Sequence, residues 1–164
     1  MASKPVVNVA DVPLMDRGHG ERFLVKWGRI GPAIGLTGLG CALHVVPPGK
    51  RAFPFHAHHV TEELFFILSG TGEYRFGEES FPVRPGDVLG APAGKTAHQL
   101  VNTGSEDLRY LGLSTIGSVD VVEYPDSKKF AVRAGVKNGD PKSASFSHLG
   151  RGGETLDYWD GEGA

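Results

Sequence analysis

The stretch FPFHAHHVTEELFFILSG, Phe53 to Gly70, sets His56, His58, His59, Glu62 and Glu63 ahead of an apolar run that stops at a glycine. In an extended chain, residues two apart point to the same side. His56 and His58 therefore converge, while His59 faces away. After a turn at Thr61-Glu62, Glu63 shares a face with Phe65 and Ile67, whereas Glu62 shares one with Leu64, Phe66 and Leu68. Both faces are apolar, so alternation leaves the two glutamates open. It predicts a strand buried on both sides, one face turned towards a partner or an outer sheet. Imidazole nitrogens bind first-row transition metals at about 2.0–2.2 Å, and a carboxylate oxygen is a natural further ligand.

A second cluster, PGDVLGAPAGKTAHQLVN, spans Pro85 to Asn102. His98 follows its Gly-Pro-rich turn and opens a strand with Leu100 on the same face. A sheet that brought this strand beside the first would assemble three imidazoles and one carboxylate. One or two coordination positions would remain for water or substrate.

The rest of the chain reads as β structure. Its 164 residues suit one domain with a real core, and 24 glycines and 11 prolines favour short strands joined by tight turns. RFLVKWGRI, GLTGLGCALHVV, ELFFILSG, the hairpin GEYRFGEESFPV with Gly77-Glu78 at its tip, AHQLVN, LRYLGLST and VDVVEYP are predicted strands. No segment from 23 to 124 sustains a helical apolar period. Residues 1–22 are expected to be an irregular N-terminal arm, 23–133 the β domain, and 134–164 a polar tail. That tail is either disordered or docked through Tyr158 and Trp159 on the barrel or a second subunit.

A net charge of −2 gives no broad electrostatic reason to bind nucleic acid or an anionic membrane. Ile30 to Gly49 lacks acidic and basic residues, but its five glycines and three prolines argue for strands and turns rather than a membrane helix. Cys41 is the only cysteine, which excludes an intramolecular disulfide. The N-terminal residues lack the layout of a signal peptide, and a cytoplasmic protein is expected.

The two clusters resemble the two motifs of the cupin superfamily. The first reads Gly49, His56, His58, Glu63, Gly70; the second reads Gly86, Pro92, Gly94, His98, Asn102; fifteen residues separate them. Six residues rather than five precede His56, and three rather than two precede His98. Both additions fall in turns, which absorb an extra residue cheaply. The wider chain, including PAGKTAHQLVN, LRYLGLST, VEYPDS and YWDGE, is similar to a group of uncharacterised bacterial cupins, some of which carry the label of sugar-phosphate isomerase. The resemblance implies an all-β, single cupin barrel (a double-stranded β-helix of jelly-roll type) with irregular terminal arms. It selects Glu63 over Glu62 by the six-residue gap to Gly70, and His56 and His58 over His59. With His98 these would hold one divalent transition metal ion, Zn, Mn, Fe or Ni, and Glu63 would double as the catalytic residue.

The expected function is a mononuclear metalloenzyme acting on a small polar molecule in the barrel, isomerase-like with a sugar phosphate. A metal-dependent dioxygenase and a non-catalytic binding or sensing module are the alternatives; no helix-turn-helix precedes the barrel. A homodimer is expected from the two-faced LFFIL run. His59 is expected to face outward or to hydrogen-bond a ligand, Glu62 to sit in the turn, with the orienting of a ligand histidine as its alternative, His44 to pack in its sheet rather than line the cavity, His19 and His148 to lie on the surface, and Cys41 to be a buried inert thiol. Lys50, Arg51, Arg75, Lys95 and Arg109 are the cations considered for a phosphate; most are expected to be solvated.

Overall fold

The computed structural model describes residues 5–94, 96–137 and 140–163. Turn residues divide them into thirteen strands: β1 Met15–His19, β2 Phe23–Arg29, β3 Leu39–Val46, β4 Ala57–His58, β5 Glu63–Ser69, β6 Gly72–Phe76, β7 Glu79–Val83, β8 Val88–Ala91, β9 His98–Val101, β10 Leu108–Thr115, β11 Val119–Tyr124, β12 Lys129–Ala134 and β13 Phe146–Gly150. Helix is confined to short 3-10 turns among the described residues.

The strands form antiparallel ladders in three groups. The largest has the order β1-β2-β3-β10-β5-β8; the others are β13-β12-β11-β4 and β7-β6-β9. His56 bridges the last two, because it pairs antiparallel with His98: its N–H donates to His98 O at 3.2 Å, and its carbonyl accepts from the His98 N–H at 2.8 Å. Two sheets thus face one another as a jelly roll. Val25, Val46, Phe65, Ile67 and Tyr110 from the first sheet meet Tyr74, Val83 and Leu100 from the second in the main core. Burying side chains of this size supplies about 1.5–3 kcal/mol each. A smaller core lies behind the first sheet, where Val12 and Ile30 cover Leu43 and Val45.

Gly70 ends β5 at a place no other residue fits well. Its φ is 80°, and a Cβ there would lie 2.5 Å from Asp107 O and 2.8 Å from Leu108 Cα. The close approach lets β5 turn directly into β6 beside the start of β10.

Two expectations change. Residues 1–22 are not wholly irregular, because Met15–His19 forms a hairpin with Phe23–Arg29, pairing Met15 with Trp27 and His19 with Phe23. The segment 134–164 is not wholly structureless either, since β13 pairs with β12 from Phe146↔Ala134 to Gly150↔Phe130. Both additions are edge strands, held by backbone ladder bonds that need no apolar pattern. Tyr158 and Trp159 are 82% and 71% exposed and stack edge-to-face on each other rather than seating on this barrel. Strand β5 has the two apolar faces that alternation predicted, one inside this chain and one outward. Phe65 and Ile67 are buried, but Leu64 and Phe66 are exposed on the outer face.

No helix among the described residues is long and apolar enough to cross a membrane.

Candidate functional site

The ladder pairing determines which polar side chains meet. The His56↔His98 bridge sets β4 beside β9, and Glu63 opens β5 on the opposing sheet, inward-facing because Phe65 and Ile67 of the same face are buried. Glu63 Oε2 lies 2.9 Å from His98 Nε2, 3.5 Å from His58 Nε2 and 3.7 Å from His56 Nε2. The ligand atoms of His56, Glu63 and His98 all lie within 4.8 Å of one another; His58 reaches Glu63 but stands outside this tight trio.

The other ring nitrogens fix the tautomers. His56 Nδ1 lies 2.8 Å from Pro54 O, and His58 Nδ1 lies 2.5 Å from Asp120 Oδ2. A carbonyl and a carboxylate only accept, so each Nδ1 carries the proton, and each Nε2 lone pair is left towards Glu63. Two lone pairs and a carboxylate gathered within 4 Å repel unless positive charge, a metal ion or a proton on Nε2, lies among them. The donor set therefore fits a metal ion. His98 differs, because its Nε2 sits at hydrogen-bond distance and donates to Glu63 when no ion competes.

Electrostatics follow the same contacts. Burial opposes ionisation of Glu63, but contacts with His56 and His98 and the charges of His58 and His56 prevail, holding the carboxyl well below the usual range. Burial pushes His98 down, offset only in part by its bond to Glu63. Burial also opposes charge on His58, yet Asp120's hydrogen bond and the charges of Glu63 and Asp120 win, and the pKa is raised. Asp120 is shifted down: burial resists, but the His58 contact and the Val60 N–H, which donates to Oδ1 at 3.1 Å, outweigh it.

The signs define a window. The raised His58 value stabilises the fold fully below the unfolded imidazole's pKa of about 6.5, and that contribution is lost as pH rises through the folded value. The lowered Asp120 value contributes above about 3.9 and is lost as pH falls through its folded value. The pair is therefore strongest between those limits in metal-free protein. Replacing Asp120 by Asn is expected to move the His58 titration to lower pH, read by histidine ring NMR on chelator-treated protein.

Asp120 is the functional neighbour that sequence reasoning missed. Its signal was an acidic residue inside the β-branched run VDVVEY, but its partner lies 62 residues away. Val122 pairs with His58 in the ladder, so Asp120 sits diagonally across from it. Glu62, the carboxylate considered for orienting a histidine, is exposed; its backbone N–H donates to Thr115 Oγ1. His59 turns away to Glu123 Oε1 at 2.9 Å. His19 and His148 are exposed. Cys41 is half-buried, and burial pushes its thiol up, which keeps it protonated.

A cavity of about 810 Å³ opens beside the cluster, lined by His56, Glu63, Phe65 and His98 at one end. Its cations are Arg17, Arg29 and Lys142, accompanied by Asp16 and Asp140. Those considered from the sequence lie elsewhere. Arg75 pairs with Asp126 at 2.8 and 3.1 Å over the Phe55 ring, Lys50 donates to Glu21 O, and Arg51 and Arg109 are not among the lining residues. Lys95 lies outside the described residues. The terminal segments, through Arg17 and Lys142, thus supply part of the cavity wall.

Residues 42–114 match the family described as Cupin domain. A crystal structure from Acidithiobacillus ferrooxidans, provisionally named a sugar phosphate isomerase, is 31% identical with a TM-score of 0.70, covering 82% of this chain and 81% of that one. A cupin-superfamily structure from Silicibacter pomeroyi, named a sugar phosphate isomerase, has a TM-score of 0.77 at 22% identity, covering 94% and 98%; that likeness is one of fold. An oxalate-binding protein of Thermotoga maritima is 32% identical over 68 residues, 42% of this chain and 54% of that protein. The chain spans about half the length of two of the curated relatives it matches.

Proposed function

The chain belongs to the cupin superfamily, and from that premise we propose that it is a mononuclear metalloenzyme acting on a small polar substrate such as a sugar phosphate, in an isomerase-like reaction. The observation that carries this reading is the convergence of the His56 and His58 Nε2 atoms on Glu63, a donor set that suits a bound cation. His56, His58, Glu63 and His98 would hold the ion, and three imidazoles with one carboxylate suit Zn, Mn, Fe or Ni. A bound divalent ion supplies Lewis acidity that polarises a substrate carbonyl or hydroxyl.

The chain's own residues do the rest. Glu63 is ionised at neutral pH and can accept a proton at Oε2 from a carbon beside a carbonyl and return it to the carbonyl carbon, while the hydroxyl proton on the first carbon passes to the carbonyl oxygen. His98, at 2.9 Å, steadies that carboxylate. Asp120 holds the His58 ring with Nε2 inward, as carboxylate partners of metal-bound histidines do. Phe65 and Tyr110 wall the cavity and exclude water from one side, while Arg29 and Lys142 offer positive charge to an anionic group.

A second reading draws support from the oxalate-binding relative: the same residues would hold a small carboxylate without turnover. Metal-reconstituted protein incubated with sugar phosphates, diketones and catechols separates the readings. Interconversion of an aldose and ketose phosphate is the expected result. Oxygen consumption with a diketone or catechol would replace isomerisation by oxidative cleavage, and a ligand recovered unchanged would favour the binder.

A further inference from the structure

His44 has no part in the cluster just described, yet it is the polar side chain with the least explained position. It lies in the middle of β3, only 6% exposed, and it lines the same cavity as Glu63. Ladder pairing places it in one inward-facing row, Trp27–His44–Tyr110–Ile67, across β2, β3, β10 and β5. Its ring stacks on Tyr110 at 4.7 Å and 11°, and meets the edge of Phe53 at 5.6 Å. Nδ1 is sealed from solvent, and the backbone of Ala42 and Tyr110, the ring's polar neighbours, lies outside good hydrogen-bonding geometry to it.

Packing alone does not account for this. An aromatic hydrocarbon ring would stack on Tyr110 equally well, without a buried polar atom left unpaired. The neighbouring rows explain what the imidazole faces. Ala42 and Gly112 form the row between the His44 row and the Glu63 row, with Phe65 next to them on β5, and Gly40 and Ser114 extend the Glu63 row itself, so the β3–β10 side of that stretch carries only small side chains. A Cβ on Gly112 would strike His44 Cε1 at 2.8 Å. The rows are four residues apart, about 13 Å along the strands, which leaves a hollow between two polar ends. Arg29 flanks that hollow, paired with Ala42 and two residues from Trp27 on the same face. Burial, against the weaker pull of Glu63's charge and the nearby Ala42 and Tyr110 backbone, lowers the His44 pKa to about 4. The ring is neutral at working pH and can give or take one hydrogen bond without carrying charge.

We infer that His44 is a ligand-recognition residue: its imidazole hydrogen-bonds an oxygen at one end of a small anionic molecule whose other end meets the His56, His58, Glu63 and His98 cluster. The inference rests on the reading of that cluster as the metal-holding end of the cavity. It assigns the ligand class as compact molecules with oxygen functions at both ends, a carboxylate or a phosphate being the anionic group that Arg29 can reach.

The test uses His44→Phe, which keeps the stacked ring, and His44→Gln, which restores a polar amide. Full-length, metal-reconstituted protein is titrated calorimetrically with fructose 6-phosphate, with oxalate and with neutral fructose, and its metal content and melting temperature are measured. His44→Phe is expected to keep wild-type metal content and to melt at or above the wild-type temperature. It should bind whichever anionic compound the wild type binds about tenfold more weakly, with partial recovery in His44→Gln. Preference for fructose 6-phosphate or for oxalate identifies the anionic group. Unchanged affinity in His44→Phe overturns the inference. So does metal-loaded wild type that binds neither anion, or a melting temperature several degrees below wild type, which would make the polar atoms structural. Wild type that takes up no metal overturns the reading of the cluster, and the melting comparison then decides His44 by itself.

Discussion

His56→Ala combined with His58→Ala is expected to lower metal affinity on the order of 10⁴- to 10⁶-fold. Binding by a four-ligand protein site is worth roughly 10–16 kcal/mol, so two ligands carry about half of it. What remains, Glu63 and His98, is a pair already satisfied by its own 2.9 Å hydrogen bond. The fold should survive, because both rings are partly exposed and neither belongs to the apolar cores. Competition with a chromophoric chelator measures the affinity, and thermal melting checks the fold. Retention of wild-type affinity by the folded double variant would remove these histidines from the site.

Asn102→Ala is expected to cost about 3 kcal/mol of stability without touching the cluster. Asn102 is 0% exposed, and its side-chain amide makes three bonds. Nδ2 donates to Val46 O at 2.7 Å and to Glu106 O at 2.8 Å, while Oδ1 accepts from Gly104 N at 2.9 Å. These bonds tie the end of β9 to the end of β3 and close the turn before β10. Alanine would strand two acceptors and one donor, and each buried unpaired group costs about 1–3 kcal/mol, relieved in part where water can enter. Urea unfolding reads the loss. A change below about 1 kcal/mol would mean that the turn repairs itself without the amide.

The barrel was legible because its inner face is written in alternation and its turns in glycine. Phe65 and Ile67 are buried as alternation places them, and the hairpin tip falls at Gly77-Glu78 between Phe76 and Glu79. The same rule turned His59 outward and brought His56 and His58 to one side. Strands β1 and β13 were not legible. MDRGH and FSHLG lie on exposed edges, where a strand needs a backbone partner and no apolar face. Asp120 escaped because its meaning depends on ladder register between β4 and β11, which local sequence does not encode. His44 was expected to pack in its sheet, and it does. Only the surrounding small residues, contributed by a different strand, reveal that it also borders the cavity. The cavity's cations were missed for a related reason, since Arg17 and Lys142 come from segments expected to be arms.

The central claim is that His56, His58, Glu63 and His98 hold a metal ion, and elemental analysis of the purified wild-type chain tests it most directly. Protein expressed in unsupplemented medium is predicted to carry about one transition metal ion per chain. Protein that holds none, even after reconstitution with Zn, Mn, Fe and Ni in turn, would contradict the account.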